Sequence, residues 1–392
     1  MIQPAPRAPE VRTPHPAGVA VESVDLERSR DRRRFIEVPR RLHRGAAQYV
    51  SPLIRDRMWF LDPTRNPAAA GLEVQAFVAH KGRAEVGRVL AFVDPDRKGR
   101  DPQAPTGFFG AFDAPDDPGV ALALLERVRR WLRARGCAFV EGPVDLGLEH
   151  GGGILVKGCE RRPVVGASWN PDWYDRLLQG TGLRPQRDLL TWAWDLDEPE
   201  AGASLLSRAE RARTRSAVRV RVADTRRLES ELADWHALFN ASQRDRPGFG
   251  PVRRQVFDAL AYDLARIAVD DLIRFAEVDG RPVGVAACVP DVNPLLSRSG
   301  RLLPLAWLRL HRRRSLVSRA RLRWLSIHPD FRMRGVETVL LAETAVAARR
   351  LGVRSIDVCW TGEGDHTVHH ELRQVGARLQ RRHRIYRGST AA

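Results

Sequence analysis

The stretch LRWLSIHPDFRMRGVE, Leu322 to Glu337, decides how the rest of the chain is read. Leu322 to Ile327 has the composition of a strand, Pro329 lies in a turn, and Arg332-Met333-Arg334-Gly335-Val336 opens a helix. The first turn of a helix leaves backbone N–H groups unpaired and is the positive end of the helix dipole, so it favours an anion. Gly335 removes the side chain where a phosphate would approach the backbone, and Arg332 and Arg334 add charged donors. The segment reads as a pyrophosphate cradle between a strand and a helix. It lacks the Gly-Lys-Ser/Thr ending of a Walker A loop and the G-x-G-x-x-G of a dinucleotide fold.

Working outward, Val336 to Leu351 is a predicted helix with Val339, Leu340, Val346 and Ala347 on one face. Ser355 to Trp360 alternates as a strand, Val368 to Val375 is a short helix closed by Gly376, and Arg384-Ile385-Tyr386 lies in the last strand. Upstream, Asp271 to Val278 and Val283 to Val289 flank Asp279-Gly280 as a hairpin. The first half repeats this grammar. Gln75 to His80 and Val86 to Val93 form a hairpin, Gly107 to Phe112 a strand, Val120 to Arg135 a helix and Cys137 to Val140 another strand. Two similar α/β (α+β) units are expected, each with a central mixed sheet. The expected division is a flexible tail over 1–20, lobes over 21–196 and 218–392, and a polar, arginine-rich linker over 197–217. Within that linker, Leu205 to Arg213 has helical character.

The chain has 392 residues, 43% of them hydrophobic, which supports real cores and excludes a largely disordered polypeptide. There is no apolar run long enough to span a membrane and no secretory h-region near the start, which points to the cytoplasm. The four cysteines, Cys137, Cys159, Cys288 and Cys359, are scattered, and no H-E-x-x-H occurs, so neither a disulfide framework nor a metal site is expected. The formal net charge is +17, yet only three of the 65 basic residues are lysine. Such a charge suits a polyanion of some kind and says nothing about fold.

At the Leu322 to Glu337 segment the chain resembles the GCN5-related N-acetyltransferase (GNAT) superfamily. The Q/R-x-x-G-x-G/A loop of that superfamily matches Arg332 to Val336 at its first five positions, with Glu337 in place of the sixth. Across residues 22–387 the chain resembles a bacterial family of GNAT-like acyl-CoA N-acyltransferases. The stretches that carry this are Gly107-Phe108-Phe109-Gly110, Gly142-Pro143, Gly153 to Gly158, Asn170 to Tyr174, Pro290 to Asn293 and Gly300 to Pro304, with the Arg332 loop and Arg384-Ile385-Tyr386. Two departures stand out. Asp365 falls where the family carries an asparagine, and Asp145-Leu146-Gly147 replaces Asn-Phe-Ser.

The resemblance implies direct attack of an amine on the thioester of an acyl-CoA, with acyl-CoA as cosubstrate. Leu325, Ser326 and Ile327 would offer strand-edge backbone, and Arg332, Met333, Arg334, Gly335, Val336 and Glu337 would hold the pyrophosphate. Glu363 is the first candidate base and Asp365 the second, although Asp365 also fits an N-cap. Tyr386 is a candidate donor to the leaving thiolate, or a core aromatic. Asp291 and Asn293, or Asn170 and Tyr174, would meet the acceptor; all four also have structural readings as turn or cap residues. The first half lacks the pyrophosphate loop and is expected to shape the acceptor cleft.

Leu302 to Trp324 interleaves arginines with Leu, Trp and Val, which suits an anionic membrane surface, a lipid-like acyl tunnel mouth, or an ordinary packed basic face. The expected acceptor is therefore a primary amine, small or lipidic. No signature of specific nucleic-acid binding is present. The two departures, Glu337 and Asp365, equally suit a GNAT fold that binds without catalysing.

Overall fold

The computed structural model describes residues 13–14, 18–95, 105–147, 149–244, 250–296 and 318–391. The described strands form one continuous sheet. The first lobe contributes β1 (Thr13–Pro14), β2 (Val19–Val24), β3 (Glu73–Lys81), β4 (Ala84–Val93), β5 (Thr106–Asp113), β6 (Phe139–Gly142) and β7 (Ile154–Lys157). After β8 (Arg184–Asp195) come β9 (Arg219–Val222), β10 (Ile273–Val278), β11 (Arg281–Pro290), β12 (Arg319–Ile327), β13 (Ser355–Gly362) and β14 (Arg378–Ser389). The spatial order is β1-β2-β3-β4-β5-β6-β14-β8-β13-β12-β11-β10-β9, with β7 paired to β14. Each lobe is an antiparallel meander ending in one parallel pair, β5 with β6 and β12 with β13.

Local chemistry explains the elements. The hairpin between β10 and β11 turns on Asp279 (φ 50°) and Gly280 (φ 73°), successive left-handed residues whose twist matches the flanking strands. The helix α3 (Pro118–Arg133) starts where the Asp117 side chain accepts hydrogen bonds from the N–H groups of Gly119 and Val120, with Pro118 at its first position. It buries Val120, Leu124, Leu125, Val128 and Leu132 on β3 and β4. On the opposite face of this lobe lie α1 (Ser29–Leu42) and α2 (Ile54–Phe60), over Phe92, Phe108 and Ile385. The Trp173 to Gln179 segment forms α4 (Trp173–Gly180).

The second lobe is layered in the same way. The helix α8 (Val336–Arg350) buries Val336, Val339 and Leu340 against Leu322, Ile356 and Val358. On the other face, α6 (Leu228–Gln243) and α7 (Arg254–Ala265) pack Trp235, Phe239 and Phe257 around Trp324. The short helix is α9 (His366–Gln374).

The segment 197–217 holds the helix α5 (Pro199–Ser216), longer than the helical stretch expected over Leu205 to Arg213, and its Leu205, Ala209 and Ala212 are buried in the second-lobe core. One feature differs from the sequence expectation: the lobes exchange strands. β8, the last strand within 21–196, pairs with β13, while β14 pairs with β6 and β7. β8 and β14 pair with each other along most of their length and fuse the two sheets. Residues 1–12 and 15–17 of the expected tail, the Gly300 to Pro304 stretch and 302–317 of the basic stretch lie outside the described residues; Arg319 to Trp324 of the basic stretch is strand.

Candidate active site

The parallel pairing of β12 with β13 runs only from Arg319↔Ser355 to Leu322↔Val358. β12 continues to Ile327, bound on its other side to β11. From Arg323 onward its β13-facing backbone therefore has no strand partner among the described residues. Arg323 is the extra residue of a bulge in the β11–β12 ladder, which increases the twist at the point where the strands part. Leu325, Ser326 and Ile327 lie on this free stretch. The N–H groups there can receive an anionic oxygen.

Residues 328–335 carry β12 into α8. Gly335 is the residue before the helix, with φ 80°, and the first turn of α8 has no side-chain cap. That turn can therefore offer N–H groups to a phosphate, with the Glu337 N–H meeting its own carboxylate. α5 holds the loop in place. Ser216 Oγ donates to the Arg334 carbonyl at 2.7 Å, and a methyl group at Gly335 would lie 2.6 Å from Ala212 Cβ. The Arg332 guanidinium donates to the Ser242 carbonyl at 2.7 Å, which ties the loop to α6. Arg334 stacks on Phe331 at 5.1 Å, and Met333, with φ 61°, is 78% exposed. Val336 is buried in the core.

The Glu337 carboxylate is buried against its own N–H, with Arg208 of α5 and Glu371 of α9 nearby. Burial, followed by the like charge of Glu371, pushes its carboxyl up.

Glu363 sits just past β13 with its side chain 52% exposed. Its Oε2 accepts from the Asp188 N–H at 3.3 Å, and its Oε1 lies 3.8 Å from Arg382. Behind it, buried Asp188 takes Arg382 at 2.8 Å and a two-pronged grip from Arg384 at 2.8 and 2.9 Å. Burial alone would raise the Asp188 carboxyl; the two arginines outweigh it and hold the group below its usual range. Asp365 precedes α9 and turns back on its own loop, with Oδ2 accepting from the Gly362 N–H at 2.7 Å. Glu363 and Asp365 are thus at the end of β13, the strand that forms the far wall of the opening.

The other candidates are placed elsewhere. Tyr386 lies on β14 opposite Gly142, fully buried in the first-lobe core, and its hydroxyl donates to Asp175. Asn170 is buried and bonded to both backbone groups of Leu155, at 2.7 and 3.1 Å. The Tyr174 hydroxyl meets Asp113 and His43, each at 3.2 Å, and the Ala114 N–H at 3.1 Å. Asp291 and Asn293 reach across the seam between the lobes. Asp291 accepts from the Val165 N–H at 2.9 Å, and the Asn293 amide donates to the Pro163 carbonyl at 2.9 Å. These four are fastening residues, and the pair on β11's trailing loop fastens one lobe to the other.

The first lobe has the equivalent opening and fills it with its own chain. β5 and β6 part after Phe108↔Glu141. The Val144 N–H then donates to the Phe109 carbonyl at 2.7 Å, and Asp145 Oδ1 accepts from the Ala111 N–H at 3.2 Å. Gly110 is required here, since a methyl group would lie 2.0 Å from the Val144 carbonyl oxygen. The Asp145-Leu146-Gly147 departure falls on this plug. Sequence reading missed Ser216, Ala212 and Asp188, because each acts through a partner far along the chain.

No family model matches the chain. The protein named bacterial ceramide synthase from Caulobacter vibrioides (strain NA1000 / CB15N) is 28% identical over 361 residues, covering 90% of this chain and 94% of that protein. Protein YghO from Escherichia coli (strain K12) is 26% identical over 366 residues, covering 91% and 92%. Among solved structures, a tandem GNAT protein from the clavulanic acid biosynthesis pathway superposes with a TM-score of 0.56 at 10% identity, over 95% of this chain and 99% of that one. A GCN5-related N-acetyltransferase from Sphaerobacter thermophilus gives 0.53 at 12% identity, over 96% of each chain. The chain has the fold of these tandem GNAT proteins, and its likeness to the two curated proteins spans nearly its whole length.

Proposed function

We propose that this tandem GNAT-fold chain is an acyltransferase that moves an acyl group from acyl-CoA to the primary amine of a long-chain lipid. The observation that carries this reading is the opening between β12 and β13, joined by residues 328–335 to the uncapped start of α8. The other lobe closes the same opening with the Val144 backbone and the Asp145 side chain. One lobe is built to admit a ligand there and the other to exclude one.

In the proposed reaction the pyrophosphate lies on the α8 turn and the pantetheine arm enters the opening. The neutral amine attacks the thioester carbonyl and forms the C–N bond. Backbone N–H groups of Arg323 to Ile327 receive the oxyanion. Collapse breaks the C–S bond, Glu363 takes the amine proton directly or through water, and the thiolate leaves to be protonated as free CoA. The lipidic acceptor is supported by the name of the Caulobacter protein, since a ceramide is an N-acylated long-chain amino alcohol. The part of the basic, apolar-interleaved stretch that precedes β12, Leu302 to Ser318, agrees in sequence with work at a membrane surface.

Calorimetry with acetyl-CoA and palmitoyl-CoA, followed by thiol release in the presence of a long-chain amine, tests the reading. Binding of palmitoyl-CoA with amine-dependent thiol release is expected. Absence of binding by either thioester would sink the reading. Glu363→Gln is expected to lower kcat by about 10²-fold or more while leaving CoA affinity unchanged.

A further inference from the structure

The face of the central sheet opposite α8 is covered at the seam by residues 149–170 of the first lobe. Beneath this strap the described structure holds a concentration of positive charge. Arg321 and Arg381 are each only 1% exposed, and Arg323 and Arg319 lie beside them. The buried carboxylates nearby are Asp357, bound to Arg319 at 3.0 Å, and Asp291, occupied by the strap backbone. No carboxylate pairs with Arg321, Arg323 or Arg381 among the described residues.

The three guanidiniums hold the strap through its carbonyls. Arg321 donates to Val165, Arg323 to Glu149, and Arg381 to Arg161 and Arg162. Those bonds leave donors over. Arg321 Nε, Arg323 Nε, Arg381 Nε and Nη1, and the Trp360 indole N–H are buried without a partner. They share one neighbourhood. Arg321 lies over the Trp360 ring at 5.2 Å, Trp360 meets His383 at 5.8 Å, and a methyl group at Gly166 would lie 2.9 Å from Arg321 Nη1 and 3.6 Å from Arg323 Nη1. Burial, then the neighbouring Arg321, pushes the Arg323 guanidinium down to about 9. Buried guanidiniums without an ion-paired carboxylate and buried donors without an acceptor are both costly, so an anion that completes such a cluster stabilises it.

We propose that this seam is a second anion site, separate from the pyrophosphate loop, in which Arg321, Arg323, Arg381 and the Trp360 N–H bind a phosphate or carboxylate group. The anion is either free or an acidic group carried by the acyl acceptor; the second source rests on the acyl-transfer reading above. Arg323 and Trp360 stand where β12 and β13 part, so an acceptor held there would present its amine to the opening.

The test is calorimetry of inorganic phosphate into the full chain saturated with CoA, at constant ionic strength. One saturable site is expected, weakened about tenfold or more by Arg321→Gln and by Arg323→Gln. Arg323→Gln gives up a single backbone bond and keeps the readout if Arg321→Gln fails to fold, as thermal unfolding would reveal. No saturable binding, or binding indifferent to both substitutions, overturns the proposal. A second arm compares a long-chain amine with the same amine bearing a phosphate monoester. Tighter binding of the monoester, lost in Arg323→Gln, identifies the acceptor as the source; equal binding with a retained phosphate site identifies a free anion. If CoA itself does not bind, acyl transfer falls, and the phosphate titration in an Arg334→Gln background still reports on the seam.

Discussion

Gly335 combines two demands that no other residue meets. Its φ of 80° is left-handed, and a side chain there would press into Ala212. Gly335→Ala is expected to cost about 1–3 kcal/mol in denaturant unfolding and to weaken CoA binding in parallel. Tyr386 makes the opposite case. The resemblance pointed to it as a proton donor, but its hydroxyl is spent on Asp175 inside the first lobe. Tyr386→Phe should lower stability by about 1–2 kcal/mol and leave kcat unchanged. Asp188 carries the acid sensitivity. Its folded carboxyl is held below the unfolded value, so its stabilisation is complete above the unfolded carboxylate range, near pH 4, and is lost as pH falls through the folded value. Asp188→Asn should flatten the acid limb of the unfolding-midpoint profile below about pH 4.

At the scale of elements, α5 was legible as a helical stretch but not as a part of the core. Its buried positions, Leu205, Ala209 and Ala212, are spaced for a helix face, but two are alanines among arginines, so the apolar signal is faint. The consequence reaches the site, because α5 supplies Ser216 and Ala212 to the loop before α8. Ala212→Leu should overpack that contact, costing about 1–3 kcal/mol by denaturant unfolding and reducing CoA affinity by calorimetry. The hairpins, α3 and α8 were legible because turn chemistry and periodicity act within a dozen residues. Position in the motif places Glu337 beside the loop; its burial near α5 and α9 was not legible, because those neighbours are distant in sequence. The parting of β12 from β13 was invisible too, since neither strand's composition changes where the pairing stops.

At the scale of the whole molecule, repetition of the strand and helix order correctly indicated two related lobes, but not that each borrows a strand from beyond its own half. β8 lines the second lobe and β14 closes the first. Pairings separated by about half a chain leave no trace in local pattern. Halves cut within 197–217 and produced separately should therefore lack cooperative unfolding by circular dichroism, and should recover it when mixed.

β14 also sets a timetable. A ribosome makes residues 378–389 well after the strands they bind, β6 and β8. Until β14 emerges, β6 keeps an unpaired edge on the nascent polypeptide and β8 lacks one of its neighbours, so the first lobe waits on a strand encoded far downstream. A premature stop that deletes only the final strand would leave the earliest-made part of the protein as a client for chaperones and proteases.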